Sequence, residues 1–299
     1  MPVSHISVCV CTFKRPPLLG RLLGELARLQ TDGLFTFSIV VVDNDVHRSA
    51  EATVLDFSGR SLIQVHYSVE PQRNISLARN RAVAKSQGDF IAFIDDDEFP
   101  TSNWLLTLYK ALHTHAVDGV LGPVHPHFDQ GTPEWVIKGR FYDRRSYPTG
   151  FVISGKQGRT GNVLLKRHLC IDEQQPFRPE FRSGEDQDFF ERMIQKGHTF
   201  IWCDEAGAYE TVPPARCKRR YLLRKALLQG TCASVNLENR IQHFARSIIA
   251  IPVYTVAAPF ALLLGQHCWM VLLVKLCDHL GQVLGMMGIN VVREAYVSE

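Results

Sequence analysis

Hydrophobic positions in the first third of the chain form short continuous runs, separated by segments with helical periodicity. Four apolar runs rich in β-branched residues are predicted as strands: residues 6–11, 38–42, 63–67 and 90–94. Continuous rather than alternating runs are typical of parallel strands buried on both faces. Between them, leucines recur at helical spacing after Pro16 and Pro17, and residues 75–86 carry a second helical pattern. This strand and helix order predicts an α/β fold with a doubly wound, mostly parallel sheet.

The middle of the chain alternates between clear and unclear patterns. Residues 104–114 are predicted as a helix, whereas residues 119–161 are rich in Gly, Pro, His and aromatic side chains and lack periodicity. We interpret that stretch as loops that border a site. Further on, residues 162–165 and 199–203 are predicted as strands, and residues 185–196 as a helix whose apolar side chains share one face.

The character of the sequence changes at residue 221, where basic helical sequence leads into an apolar tail. Residues 247–265 are uncharged, are interrupted by Pro252 and Pro259, and only just reach the length of a membrane span. Residues 268–288 are apolar except for one polar stripe with i, i+3, i+4, i+7 spacing, formed by Lys275, Asp278, His279 and Gln282. The stripe predicts an amphipathic helix that lies in a membrane interface. A buried helical pair used for dimerisation is the alternative.

Composition sets the class of protein. The chain has 299 residues, of which 45% are hydrophobic and 21% charged, so it can bury a sizeable core and disorder is excluded. A net charge of +3 does not indicate a nucleic-acid partner, although lysines and arginines concentrate in residues 216–246, where they suit anionic lipid head groups. Eight cysteines without CxxC spacing favour a reducing compartment, and no secretory signal is recognisable at the start of the chain.

Polar residues follow the carboxyl ends of the predicted strands, where ligands bind in open α/β sheets. The sharpest feature is the run Asp95-Asp96-Asp97 after the fourth strand. On an extended backbone Asp95 and Asp97 would face one way and Asp96 the other. Carboxylate oxygens are hard ligands that favour Mg²⁺ or Mn²⁺. The alternative interpretation is an acidic turn after a strand.

Five motifs occur in a fixed order along the chain: VCVCTFKR at 8–15, VVDN at 41–44, ARN at 78–80, FIDDDE at 93–98 and GED at 184–186. Together they resemble family 2 glycosyltransferases, which are inverting enzymes of the GT-A fold. Gly161-Asn162, GEDQDFF at 184–190 and VPP at 212–214 are similar to the non-processive bacterial exopolysaccharide transferases. A QxxRW motif, the signature of processive members, is not found after the GED motif.

The resemblance implies a nucleotide-diphosphate-sugar transferase fold in residues 1–220, followed by a membrane-associated helical extension in residues 221–299. It implies a UDP-linked donor, a saccharide acceptor that is lipid-linked, Mn²⁺ or Mg²⁺ as cofactor, and a location at the cytoplasmic face of the cell membrane. Asp97 would bind the metal with Glu210, which stands where many relatives carry His. Arg219 and Arg220 would close over the diphosphate, for which Arg216 and Lys218 are alternatives by charge. The full implied donor-binding set is Thr12, Arg15, Asp43, Arg79, Asp95, Asp96, Arg219 and Arg220.

Asp186 is the implied catalytic base. An inverting displacement needs one general base for the acceptor hydroxyl, and a carboxylate in the first turn of a helix is favoured in its ionised form. The alternative is that Glu185, Asp186 and Asp188 only complement the helix dipole. At the level of the whole protein, two alternatives stay open: a metal-dependent nucleotidyltransferase, although residues 11–17 lack glycine, and an inactive sugar-binding scaffold of the same fold.

Overall fold

The computed structural model describes residues 3–181, 183–233 and 240–289. Two parts of the predicted extension, residues 234–239 and 290–299, lie outside the described residues. The chain divides into two compact units: residues 1–126 with 144–211, and residues 127–143 with 212–299. This division and the predicted boundary at residue 220 are different partitions, so the catalytic-domain assignment stays a prediction.

The order of elements follows the predicted alternation. The strands are β1 Ser4–Thr12, β2 Phe35–Asp43, β3 Val65–Val69, β4 Phe90–Phe93, β5 Glu98–Pro100, β6 Gly119–Leu121, β7 Val124–Phe128, β8 Val163–Lys166, β9 Phe200–Trp202 and β10 Ala208–Val212. The helices are α1 Pro16–Leu26, α2 Glu51–Ser58, α3 Ile75–Lys85, α4 Trp104–Thr114, α5 Glu134–Lys138, α6 His168–Ile171, α7 Glu185–Gln195, α8 Arg219–Ala233, α9 Arg240–Ala261 and α10 Gln266–Met286.

A seven-stranded sheet with the order β3-β2-β1-β4-β8-β6-β9 organises the first unit. Strands β3, β2, β1 and β4 are mutually parallel, β6 and β9 are parallel, and β8 runs antiparallel to both of its neighbours. The prediction of a mostly parallel sheet is therefore confirmed. Strands β5, β10 and β7 form a second, smaller sheet.

Both faces of the large sheet are covered, which explains the continuous apolar runs. On one face Val8 and Val10 pack in a core with leucines of α1 and with Trp104 of α4. On the other face Cys9 and Val42 pack with residues of α3 and with the phenylalanines of α7. Each central strand alternates between two buried layers, so neither face of it can be polar.

The prediction that residues 119–161 form only loops is wrong. The stretch contains β6, β7, α5 and a 3₁₀ turn at Gly155–Gln157. These elements have three to five residues, too few for a periodicity to show in the sequence. Gly119 has a packing role, because a Cβ there would lie 2.6 Å from Leu165 Cδ2 and 2.7 Å from Phe200 Cδ1.

The second unit contains α8, α9 and α10. Residues Phe244–Leu264 and Gln266–Met286 are long and apolar enough to cross a membrane, judged by length and composition. The predicted polar stripe of α10 is present, with Lys275 exposed. Two of its members contact α9: His279 Nδ1 lies 3.0 Å from the Oγ atom of buried Ser247, and Gln282 Oε1 accepts from the same hydroxyl at 2.9 Å. Two members of the stripe are therefore used inside the helical hairpin, and the prediction that α10 lies in a membrane interface stays a prediction.

Candidate active site

The acidic run lies where β4 ends, beside the end of β1. Asp96 and Asp97 lie in a turn rather than on an extended strand. Arg15 Nη1 donates to Asp96 Oδ1 at 3.0 Å and to Asp97 Oδ2 at 3.1 Å, and Thr12 Oγ1 donates to Asp96 Oδ2 at 2.7 Å. The predicted alternation is therefore wrong, because the turn directs Asp96 and Asp97 to one guanidinium while Asp95 lies toward Arg79.

Burial and the crowding of carboxylates raise the pKa of Asp97 to about 7. Burial is the largest cause, followed by repulsion from Asp95, Asp96 and Glu210, and Arg15 opposes these effects. Glu210 lies on β10, which pairs with β5 so that Glu210 stands opposite Glu98. A cluster of hard oxygen donors with an unfavourable negative charge is chemically suited to Mg²⁺ or Mn²⁺. The residues present therefore fit the predicted metal.

Two further side chains belong to this cluster. Glu98 is buried, and its Oε1 atom has no hydrogen-bond partner within the described residues and lies 4.0 Å from Arg144 Nη1. Arg144 also forms an ion pair with Glu210. Burial and the charge on Asp95 raise the pKa of Glu98 well above its usual range. Sequence reasoning named Glu98 only as part of a motif and missed Arg144, which no local pattern marks.

Arg79 connects the acidic turn to the start of α7. Its guanidinium is buried, forms an ion pair with Glu185, and lies 3.8 Å from Asp95 Oδ1. Glu185 is also buried, so the two charges compensate one another away from solvent. Arg79 therefore does not lie on a solvated helix face, and its predicted donor-binding role stays a prediction.

The three acids in the first turn of α7 have different partners. Glu185 pairs with Arg79, and Asp188 accepts hydrogen bonds from Arg178 at 3.3 Å and Arg192 at 2.9 Å. The remaining acid, Asp186, accepts only the adjacent Gln187 N–H at 2.8 Å among the described contacts. Burial raises the pKa of Asp186 and outweighs the opposing effect of Arg79, so the helix start does not lower it as the sequence suggested. A partly desolvated carboxylate with spare acceptor capacity can receive a proton.

Asp43 lies beside Thr12 in the β1–β2 pair and is completely buried. Its Oδ1 atom accepts from Asp45 N at 3.0 Å, and Oδ2 accepts from Ala50 N at 2.7 Å and from Tyr67 Oη at 3.0 Å. These bonds hold the loop that follows β2. The predicted nucleotide contact of Asp43 stays a prediction, because the structure gives its oxygens partners within the protein.

Residues 7–172 match the family model described as glycosyl transferase family 2, and this stretch is more than half of the chain. The chain belongs to this family. The transferase is also 33% identical over 228 residues to the succinoglycan biosynthesis protein ExoM of Rhizobium meliloti (strain 1021), an alignment that covers 76% of this chain and 73% of that protein.

Solved structures support the GT-A fold of the transferase. The mannosyltransferase PcManGT from Pyrobaculum calidifontis, solved with GDP-Man and Mn²⁺, aligns with a TM-score of 0.60 at 17% identity, over 94% of this chain and 87% of that one. The S. aureus protein TarS, residues 1–349 in complex with UDP-GlcNAc, aligns with a TM-score of 0.54 at 15% identity, over 95% and 91%. At these identities the likeness concerns the fold.

Arg219 and Arg220 lie in the second unit of the transferase. The Arg219 guanidinium lies 5.7 Å from the ring centroid of Trp135 and 5.6 Å from that of Trp269, and it donates to Gln266 Oε1 at 3.2 Å. Arg220 is exposed. The diphosphate role assigned to these two arginines stays a prediction.

The transferase has another group of side chains with the chemistry of metal ligands. Asp118, His168 and His198 each offer one ligand atom, and these atoms lie within 4.8 Å of one another. Asp118 precedes β6, which runs in the same direction as β4, so this group lies at the sheet edge opposite the acidic turn. Asp118 already accepts from Lys166 Nζ and Thr199 N, both at 3.0 Å. The group is separate from Asp97 and Glu210 and was not predicted.

Proposed function

We propose that this family 2 transferase moves one sugar from a nucleotide diphosphate sugar to a saccharide acceptor, with inversion, in the synthesis of an exopolysaccharide. The observation that carries the proposal is the convergence of Arg15, Arg79 and the acidic run 95–97 at the carboxyl edge of the sheet. Support for the donor class comes from PcManGT, solved with GDP-Man, and TarS, solved with UDP-GlcNAc. The pathway class follows from the likeness to ExoM.

Mn²⁺ or Mg²⁺ is the proposed cofactor, with Asp97 and Glu210 as its ligands. When bound, a divalent ion at these carboxylates neutralises the diphosphate and makes it a better leaving group. Asp96 has another role, because Thr12 and Arg15 already hold both of its oxygens. It fixes the shape of the turn that presents Asp95 and Asp97.

Asp186 is the proposed general base. Its carboxylate takes the proton of the acceptor hydroxyl while the acceptor oxygen bonds to the anomeric carbon, and the bond from that carbon to the donor phosphate oxygen breaks. The nucleoside diphosphate leaves with its negative charge. The raised pKa of Asp186 brings the base closer to the working pH, which favours proton transfer. The buried pair of Arg79 with Glu185 holds the start of α7 in place for this step.

The acceptor is proposed to be lipid-linked, and the enzyme to work at the cytoplasmic face of the cell membrane. The apolar helices of the second unit and the basic residues of α8 support the membrane location. Transfer of a single sugar per encounter rests on the missing QxxRW motif and is measured directly by the mass of the product.

A donor screen tests the proposal. UDP- and GDP-linked sugars are incubated with the transferase in Mn²⁺, Mg²⁺ or chelator, and released nucleoside diphosphate is measured. Asp186→Asn should bind the productive donor as the wild type does and lose at least about 100-fold in turnover, the range of a lost general base. Asp188→Asn is the matched control on the same helix and should keep most activity. Donor binding without turnover in the wild type would favour the inactive scaffold, and unchanged activity of Asp186→Asn would exclude its role.

A further inference from the structure

The three helices of the second unit have a definite arrangement, fixed by their contacts. Tyr254 and Ser247 of α9 both contact His279 of α10, and Tyr254 also lies near Lys275, so α9 and α10 run antiparallel as a hairpin. A 3₁₀ turn at Leu262–Leu264 connects them. His279 and Gln282 of the polar stripe of α10 are thus used at the seam with α9, while Lys275 is exposed.

Helix α8 runs parallel to α10. Near its start, Arg219 contacts Gln266 and Trp269 at the start of α10. Eleven residues later, a Cβ on Gly230 would lie 2.0 Å from Asp278 O, so the two backbones touch at that level. Arg224 lies between these anchor points. Its level on α8 therefore corresponds to the middle of α10.

These levels exclude a transmembrane α10 with α8 packed beside it. Arg219 and Arg220 lie level with the start of α10, but Arg224 and Lys225 lie further along α8 and would enter the hydrocarbon layer if α10 crossed it. Lys275 of α10 would lie there as well. Basic side chains at the bilayer centre are strongly unfavourable unless they reach an interface. Helix α10 is therefore a packed helix of the unit, despite its apolar composition.

Helix α9 carries the face that the unit leaves open. Its outward apolar side chains recur at helical spacing, and the turn after it continues the same surface. Leu263 is 85% exposed and Leu264 is 75% exposed. We call this surface the α9 face; its exposed members are Ile248, Ile249, Val253, Val256, Phe260, Leu262, Leu263 and Leu264.

We propose that the α9 face lies flat in one leaflet of an anionic bilayer, so that the transferase is monotopic and neither apolar helix crosses the membrane. The proposal rests on the membrane location in the proposed function and specifies how it is achieved. The exposed apolar side chains of this face run from Ile248 to Phe260 on α9, about 18 Å along the helix axis. An extended apolar side on a helix that lies in the plane of the membrane suits burial at the depth of the head-group boundary.

Charge selects a bilayer over a second copy of the chain as the occupant of this face. Arg219, Arg220 and Arg224 are exposed in the same unit, and Arg246 is exposed near the start of the α9 face. Acidic phospholipids complement these cations, each of which contributes to binding near the surface. Two copies that joined through residues 244–264 would give Arg246 no acidic partner, because that segment contains no Asp or Glu.

Flotation with vesicles tests the surface. Val256→Glu with Phe260→Glu places two charges on the α9 face at positions that are 67% and 66% exposed, so folding should be retained. Binding to vesicles of phosphatidylglycerol and phosphatidylethanolamine should fall at least tenfold. The matched control, Leu55→Glu with Leu62→Glu, changes exposed apolar residues of the first unit and should bind as the wild type does. Equal vesicle binding of the two double variants would overturn the proposal. It would also be overturned if the wild type were a dimer and the α9 double variant were a monomer that still bound vesicles as the wild type does.

Donor hydrolysis in the same samples separates this proposal from the proposed function. The α9 double variant should hydrolyse soluble donor at the wild-type rate, so an inactive wild type would count against the function and leave the vesicle result intact. Topology is tested by an epitope inserted between Leu264 and Gly265. Antibody should reach it in intact bacterial spheroplasts no better than it reaches a cytoplasmic marker. Labelling before lysis would show that the hairpin crosses the membrane and would overturn the monotopic arrangement.

Discussion

Replacing Asp43 by alanine should destabilise the first unit before it affects chemistry. Three hydrogen bonds to one buried carboxylate are removed, from Asp45 N, Ala50 N and Tyr67 Oη. Hydrogen bonds to a charged group contribute about 1.5–3 kcal/mol each, and the donors left behind are partly or fully buried. Taking the lower figure for each of the three bonds, the free energy of unfolding should fall by about 4.5 kcal/mol. That is a large fraction of the roughly 5–15 kcal/mol typical of a folded domain.

Urea denaturation at neutral pH measures this loss, and Tyr67→Phe provides a graded control. Burial and the hydrogen bond to Asp43 raise the pKa of Tyr67, so its hydroxyl is a donor throughout the accessible range. The phenylalanine variant removes one of the three bonds and should cost about 1.5 kcal/mol. The ratio of the two losses in free energy of unfolding is more informative than either loss alone, because both variants are compared with the same wild type.

The opposite result would assign Asp43 to the nucleotide. In that case the free energy of unfolding of Asp43→Ala would lie within about 1 kcal/mol of the wild-type value, well below the loss expected from the three hydrogen bonds. Donor affinity would fall more than tenfold. The carboxylate would then be a ligand contact, and the reasoning from its hydrogen bonds would be wrong. Nucleotide binding should be measured well below the unfolding transition, since loss of folded protein would otherwise imitate weak binding.

Two further changes test other parts of the structure. Asp97 has a pKa of about 7 against an ordinary value of 3.8, so in chelator the wild type loses stability as the pH rises through that window. Asp97→Asn should therefore be more stable than the wild type by up to about 4 kcal/mol at pH 8 and equally stable below pH 4. Thermal unfolding across pH measures this difference in stability, and added Mn²⁺ should narrow it. Gly230→Ala should lower the free energy of unfolding by about 1–3 kcal/mol, because the new Cβ would lie 2.0 Å from Asp278 O. The control Gly24→Ala in α1, where the new Cβ has nothing within 4 Å, should raise the free energy of unfolding by up to about 1 kcal/mol. Equal melting temperatures of the two variants would contradict the packing of α8 on α10.

The sheet was predictable from the sequence because its central strands are buried on both faces. Such strands show as apolar runs, and α4 was predicted at its observed bounds of Trp104–Thr114 because eleven residues are enough for a helical period to appear. Elements of three to five residues, such as β6 and α5, leave no period to detect. Their formation depends on neighbours such as Leu165 and Phe200 that are distant in sequence.

The same distinction applies to the site. The carboxyl ends of parallel strands bring Thr12 and Asp95–Asp97 together in any doubly wound fold, so these positions follow from topology. The partners of their side chains do not. Arg144 reaches Glu210 from a segment without a pattern, and the turn at Asp96 reverses the alternation expected of a strand. Helix periodicity likewise found the polar stripe of α10 but could not say that Ser247 would occupy it.

The ion pair between Arg79 and Glu185 spans 106 positions of the chain. During synthesis on the ribosome, α3 emerges long before α7, and until α7 arrives Arg79 has no buried carboxylate to compensate it. A nascent transferase should therefore be inert toward nucleotide sugars until almost all of the first unit has been made. Closing so long a loop is slow compared with forming local helices, which places the pairing of Arg79 with Glu185 among the last events in the folding of the first unit.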